Sequence, residues 1–241
     1  MLGLFAAGPD PDAALLGFRQ VSDALGATPW YMRLLRDESV AAQRLASILG
    51  ASRYASDLLM RAPEAVAMLA DGTDLGNRTP ASLESEALAA VSRREDPETA
   101  IGAVRAFRRR ELFRIAVADV LGESDVVTTA GGLSDVTTAT VSAALQAAVT
   151  TVAGGDKLGV RIFVVGMGRF GGAEMSYASD ADVMFVHDAL PGTGEDVTTR
   201  QAIAVANELR RLLGLPSPDP ELTIDADLRP EGRNGPMSRS L

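Results

Sequence analysis

The feature that most constrains the fold is a change in apolar period at Gly154-Gly155-Asp156. Before it, from Ala13 to Ala153, apolar residues recur at helical spacing and are punctuated by helix-end signals. After it, Val160–Val165 and Val183–Val186 are short β-branched and apolar runs of the kind buried strands require. Thr199–Leu213 returns to helical spacing, and Leu222-Thr223-Ile224-Asp225 reads as a third strand. An α+β chain is therefore expected, with a helical domain over residues 1–155 and a mixed β-sheet with helices over residues 156–241. A length of 241 residues accommodates two modest domains.

Within the first segment, Leu15 and Phe18 begin an apolar stripe that Val21, Ala24 and Leu25 continue. Thr28-Pro29 opens a further helix, a capping residue followed by proline at the first helical position. Leu34, Leu35, Leu45, Ile48 and Leu49 are expected to face the core, as are Trp30 and Tyr31. Short helices follow over Ser52–Arg61 and Pro63–Leu69, and Asp71–Thr79 reads as a loop. Asp96-Pro97 starts a longer helix ending near Gly122, and Ser134–Val152 forms another. The first of these carries Arg105, Arg108, Arg109, Arg110 and Arg114. That run is either a solvated face paired with Glu111 and Asp119 or a surface facing phosphate or partner carboxylates.

Composition narrows the chemistry. With no cysteine, there is no disulfide, thiolate metal site or thiol nucleophile, which leaves carboxylates and the lone His187 as ligands. A hard, oxygen-seeking metal suits such a set better than zinc. The net charge of −9 disfavours a nucleic-acid surface, which needs Lys and Arg to neutralise phosphates. No stretch reads as long and apolar enough to cross a bilayer, and Met1–Gly8 lacks a signal core, so a soluble cytoplasmic protein with no membrane partner is expected. His187 follows a strand and reads as a surface or packing residue.

The chemistry concentrates after the first strand. Gly166-x-Gly168-x-x-Gly171 satisfies the dinucleotide-binding spacing, and Asp188 lies about 20 residues on, where a ribose-binding acid belongs. That reading needs a full crossover helix before Val183, and the stretch holds Ser176, Ser179, Asp180 and Asp182 in place of an apolar face. Alternatively, the glycines admit a triphosphate and the acids that follow hold its metal. Asp180 and Asp182, two apart on an extended segment, share a face, and two adjacent carboxylates repel unless a cation lies between them. Ser-Asp-x-Asp alone is also common in turns and caps; its position after a glycine pair and before an apolar strand favours the metal reading. A third acid from a separate strand is Asp225 or Asp227, which geometry alone does not separate.

These residues resemble the nucleotidyltransferase superfamily that includes DNA polymerase β, with a Gly-Gly turn at Gly171-Gly172, an Asp-x-Asp at Asp180 and Asp182, and a third acid at Asp225. The longer strings Gly166–Asp182, Asp225–Pro236 and Phe107–Asp119 are similar to the glutamine synthetase adenylyltransferase family in particular. The resemblance implies a nucleotidyltransferase-type core in which Asp180, Asp182 and Asp225 hold Mg²⁺ or Mn²⁺ as paired ions, with ATP as substrate. It also implies that Gly171, Gly172, Ser179 and Arg229 bind the nucleotide and that Glu174 orients the turn; Arg229 and Arg169 are the nearest cations to offset phosphate charge, although arginines beside acids are more often simply ion-paired. Glutamine synthetase would be the protein substrate, and a PII-type signal protein would act on the full-length enzyme. Family members carry one half that adds AMP and one that removes it by phosphorolysis. Thr28-Pro-Trp-Tyr-Met-Arg-Leu-Leu and Asp-Ala-Asp-Leu-Arg-Pro look more like the C-terminal, adenylylating half of an actinobacterial member; the removing half is the alternative. Family members continue beyond Ser240-Leu241, so a fragment truncated at its C-terminus is expected. A reading of another class is a helical interaction module that binds nucleotide without turnover.

Overall fold

The structure is a computed structural model and describes residues 1–26, 28–228 and 235–241. Ten helices, one 3₁₀ segment and four strands are defined among these residues. The helices are α1 (Leu2–Ala6), α2 (Pro11–Leu25), α3 (Pro29–Asp37), α4 (Ser39–Ala51), α5 (Arg53–Arg61), α6 (Pro80–Ser92), α7 (Pro97–Val120), α8 (Val126–Ala153), α9 (Gly168–Gly171) and α10 (Glu195–Leu213). The 3₁₀ segment is Pro63–Leu69, and the strands are β1 (Val160–Gly166), β2 (Ala181–Ala189), β3 (Ile224–Asp225) and β4 (Ser238–Ser240). The fold is α+β.

Two compact units emerge. One comprises Met1–Asn77 and Arg109–Thr129, the other Arg78–Arg108 and Ala130–Leu241. In the first, α2 packs on α4 through Ala14, Gly17, Val21 and Leu25. This face is rotated from the expected stripe: Leu15 and Ala24 are exposed, whereas Val21 and Leu25 are buried. The small residues turn inward because the helices approach closely; a Cβ on Gly17 would lie 2.9 Å from a Leu49 methyl. Leu34, Leu45, Ile48 and Leu49 are buried as expected, while Leu35 is half-buried. Tyr31 is fully buried with its hydroxyl 2.9 Å from Ser22 Oγ, but Trp30 remains partly exposed.

The arginine-rich helix α7 keeps the expected pairing with Glu111 but buries it, so the run is not simply a solvated face. In the first unit, Arg114 and Glu111 form a buried ion pair, and Arg114 also donates to the carbonyls of Leu75 and Gly76. In the second unit, Arg105 donates to the Leu213 carbonyl and Arg108 to that of Pro220. Guanidinium groups carry several donors in a rigid fork, and here they satisfy backbone carbonyls of loops and of the C-terminal end of α10, which has no further turn to bond them.

Helix α8 corrects the expectation that no segment is long and apolar enough to cross a membrane. Its 28 residues pass that test by length and composition, and half of the most apolar window is buried in the protein. Buried Ser134, Thr137 and Thr140 fit a core helix, with Ser134 and Thr140 hydroxyls donating to carbonyls one turn back.

In the second unit the sheet order is β1-β2-β3, with β4 also on β2. β1 runs antiparallel to β2, with Val164 opposite Phe185, and β3 and β4 run parallel to β2. An antiparallel β1–β2 pair needs no crossover helix, and only the four-residue α9 intervenes, so the dinucleotide-binding reading fails. Asp188, its candidate ribose acid, is ion-paired with Arg161. Helix α10 covers one sheet face through Thr198, Ala202, Val205, Leu209 and Leu212, an apolar stripe at helical spacing. Ala181, Val183, Phe185 and His187 of β2 are buried, and the alternate residues from Asp182 to Asp188 lie on the less covered face.

Candidate active site

β1 ends at Gly166, and the chain turns through α9 before returning along β2. The turn is fixed by bonds of its own: Met167 N–H donates to the Asp182 carbonyl (2.8 Å), Gly171 N–H to that of Met167 (2.8 Å) and Gly172 N–H to that of Gly168 (3.0 Å). The helix end closes with Ala173 N–H on the Phe170 carbonyl and Glu174 N–H on that of Arg169, the paired bonds of a Schellman end. Ala173 takes the left-handed position at φ 57 that glycine usually fills.

Two glycines are required here. Gly168 has φ +50, and a Cβ on it would lie 2.7 Å from Asp182 Oδ2. On Gly171 a Cβ would meet the Gly166 carbonyl oxygen at 2.4 Å, a backbone obstacle that cannot swing aside. Gly172 lies at φ −83, and a Cβ there would make only ordinary contacts. The N–H groups of Gly171 and Gly172 are both engaged inside the turn, and the missing side chain at Gly171 lets the backbone close on itself.

Asp182 and Asp225 are directly paired in the β2–β3 register, and Ala181 N–H donates to the Thr223 carbonyl at 2.9 Å to hold the junction. Opposite positions on adjacent strands point to the same face, and Asp180, two before Asp182, joins them. Carboxylate oxygens of Asp180, Asp182 and Asp225 all lie within 4.8 Å of one another. Asp225 Oδ1 accepts from the Asp227 amide at 2.8 Å, which orients its carboxylate; Asp225, not Asp227, enters the cluster. Ser179 is buried, and its Oγ accepts from the Ser176 amide at 3.0 Å, so it braces the loop that delivers Asp180. Arg229 lies outside the described residues.

Burial of Asp182 raises its carboxyl pKa above the ordinary value, the charges of Asp180 and Asp225 add to the rise, and Arg169 opposes it. A cluster of three acids with that tension is a set of hard oxygen donors, which fits Mg²⁺ or Mn²⁺ rather than a thiophilic or imidazole-seeking ion. His187 takes no part. It is buried in β2, with Nδ1 2.8 Å from Ser238 Oγ on β4, and burial lowers its pKa. β4, absent from the expectations, is held to β2 by this pair and by the ladder at Phe185–Ser238.

With this geometry in view, the relatives are informative. The family model for glutamate-ammonia ligase adenylyltransferase matches residues 42–241. The chain belongs to that family. A bifunctional glutamine synthetase adenylyltransferase/adenylyl-removing enzyme of Streptomyces coelicolor is 54% identical over the whole chain, and the match covers 26% of that protein. Proteins of the same name from Cutibacterium acnes and Mycobacterium tuberculosis are 50% and 44% identical over 100% and 97% of the chain. The chain spans about a quarter of the length of these family members. Its three acids and glycine turn fall within the segment that the adenylyltransferase family model matches.

Proposed function

We propose that this chain transfers AMP from ATP to a tyrosine hydroxyl of glutamine synthetase and releases pyrophosphate. The observation that carries the proposal is the convergence of Asp180, Asp182 and Asp225 beside the glycine turn at Gly168–Gly172. In this reading residues 156–241 form the catalytic segment and residues 1–155 its helical lead-in. The three carboxylates hold Mg²⁺ or Mn²⁺, which when bound offsets triphosphate charge and lowers the pKa of the attacking hydroxyl.

The chain's own groups do the rest. Asp225, fixed by the Asp227 amide, stands where it can accept the hydroxyl proton. Gly171 and Gly172 line the nucleotide, the bracing pair Ser176–Ser179 sets the height of Asp180, and Arg229 is a further cation for the nucleotide. Glu174, whose amide closes the helix end, orients the turn. In the alternative reading, that this chain is the half that removes AMP, the same three acids would serve with inorganic phosphate as the incoming nucleophile. A PII-type signal protein is proposed to act on the full-length enzyme, and the cytoplasm is the proposed compartment.

Full-length enzyme incubated with labelled ATP, Mg²⁺ and glutamine synthetase should label the latter, and Asp180→Ala with Asp182→Ala should abolish it. Label transfer that survives the double substitution contradicts the proposal. Nucleotide binding with no metal-dependent turnover by the wild type would favour an interaction module instead.

A further inference from the structure

We infer that Arg169 grips the phosphate groups beyond the α-phosphorus, so that the glycine turn supplies a cation to the departing pyrophosphate. This rests on the transferase reading above and assigns a residue that the acid cluster leaves out.

Position is the first argument. Arg169 follows Gly168, the residue packed against Asp182 Oδ2, and consecutive Cα atoms are about 3.8 Å apart, so the long arginine stem starts at the rim of the acid cluster. The backbone there is held. The Arg169 carbonyl accepts the Glu174 amide at 2.8 Å in the bond that closes α9. The root of the side chain is thus fixed while its head is exposed.

The second argument is that the head is uncommitted. In the same unit Arg105 and Arg108 are spent on backbone carbonyls, Arg161 on Asp188, and Arg211 on Glu208 and Glu98. Among the described residues no ion pair or side-chain hydrogen bond engages Arg169, although three carboxylates lie beside its turn. Its charge is close enough to favour the ionised form of Asp182. A guanidinium near acids but paired with none of them remains available to an anion.

The third is charge balance. Two divalent cations do not fully neutralise three carboxylates plus a triphosphate, and the reaction moves further negative charge outward. The acceptor oxygen bonds to the α-phosphorus, and the bond from that phosphorus to the α–β bridging oxygen breaks. The hydroxyl proton passes to Asp225, and pyrophosphate leaves with the electron pair of the broken bond. A bidentate guanidinium suits that oxygen-rich leaving group, and its interaction strengthens as the charge develops.

The test uses full-length enzyme carrying Arg169→Gln or Arg169→Lys. With Mn²⁺ alone, spin-resonance titration should show affinity in Arg169→Gln equal to wild type or higher, because a repelling cation has been removed. Pyrophosphate binding in the presence of Mn²⁺ should weaken at least tenfold. AMP transfer should lose about 10²-fold or more in kcat/KM, the scale seen when one donor to a developing anion is removed. Arg169→Lys should recover part of both. Equal pyrophosphate affinity in wild type and Arg169→Gln overturns the assignment whatever the activity, and so does a fall in Mn²⁺ affinity, which marks a structural role. A wild type that binds Mn²⁺ and pyrophosphate but transfers no AMP counts against the transferase reading alone.

Discussion

Replacing Asp182 by Asn should make the cation-free protein more stable. Each pair of carboxylates in the cluster lies within 4.8 Å. At that separation two like charges repel by about 0.9 kcal/mol in a water-like medium and about 3.5 kcal/mol at an effective dielectric constant near 20. Asp180 is exposed, so the lower figure governs; Asp182 takes part in two of the three repulsions, and removing its charge releases about 2 kcal/mol. Asparagine keeps the side-chain shape and the backbone bond from Met167. For a chain of this size each kcal/mol moves the melting midpoint by about 2–4 °C, so a rise of about 4–8 °C is expected in EDTA. Cation reverses the order. At a hundred times its Kd, Mn²⁺ stabilises wild type by about 2.7 kcal/mol, and it should do little for the variant. Because the folded pKa of Asp182 is raised, the destabilisation is absent well below the ordinary carboxylate pKa. It appears as pH rises through that value and is complete above the folded one. The variant's advantage in EDTA should therefore shrink as pH falls through the ordinary carboxylate range. Thermal unfolding by circular dichroism, with EDTA and with Mn²⁺, reads all of this. A variant that melts at or below wild type in EDTA, or an equal Mn²⁺ shift in both proteins, refutes the reasoning.

Gly171→Ala forces the turn to shift, because its Cβ meets a backbone oxygen at 2.4 Å; a loss of about 1–3 kcal/mol by chemical denaturation is expected, together with weaker Mn²⁺ binding. Glu111→Ala leaves the buried Arg114 guanidinium without its counter-charge and should cost about 3–5 kcal/mol in the same measurement. His187 has its folded pKa lowered by burial, so the unfolded chain binds a proton first, and stability should fall as pH drops through about 6.5 toward the folded value. His187→Gln should flatten that part of the pH–stability curve.

Much of this architecture was legible in the residues because the signals were local. The change of period at Gly154-Gly155 separates helices from strands, and the β-branched runs at Val160 and Val183 lie inside β1 and β2. The three acids were visible because Asp180 and Asp182 are neighbours in the chain, but choosing Asp225 over Asp227 needed the parallel β2–β3 register. Features that depend on distant partners were not legible. The inward face of α2 is set by how closely α4 approaches at Gly17, not by which residues are most apolar. β4 is three residues long and exists through its pairing with β2 and the His187–Ser238 contact. The destinations of Arg105 and Arg108, a carbonyl at the end of α10 and a loop carbonyl, lie more than 100 positions away, which no spacing rule encodes. Helix α8 looks membrane-compatible because Ala, Val and small hydroxyl residues serve a protein interior and a lipid phase alike.

Anomalous diffraction from crystals soaked with ATP and Mn²⁺ tests the account most directly. It should reveal manganese between Asp180, Asp182 and Asp225, with the triphosphate running alongside the Gly168–Gly172 bend. Nucleotide bound elsewhere, or manganese absent from that trio while ATP is ordered, would contradict it.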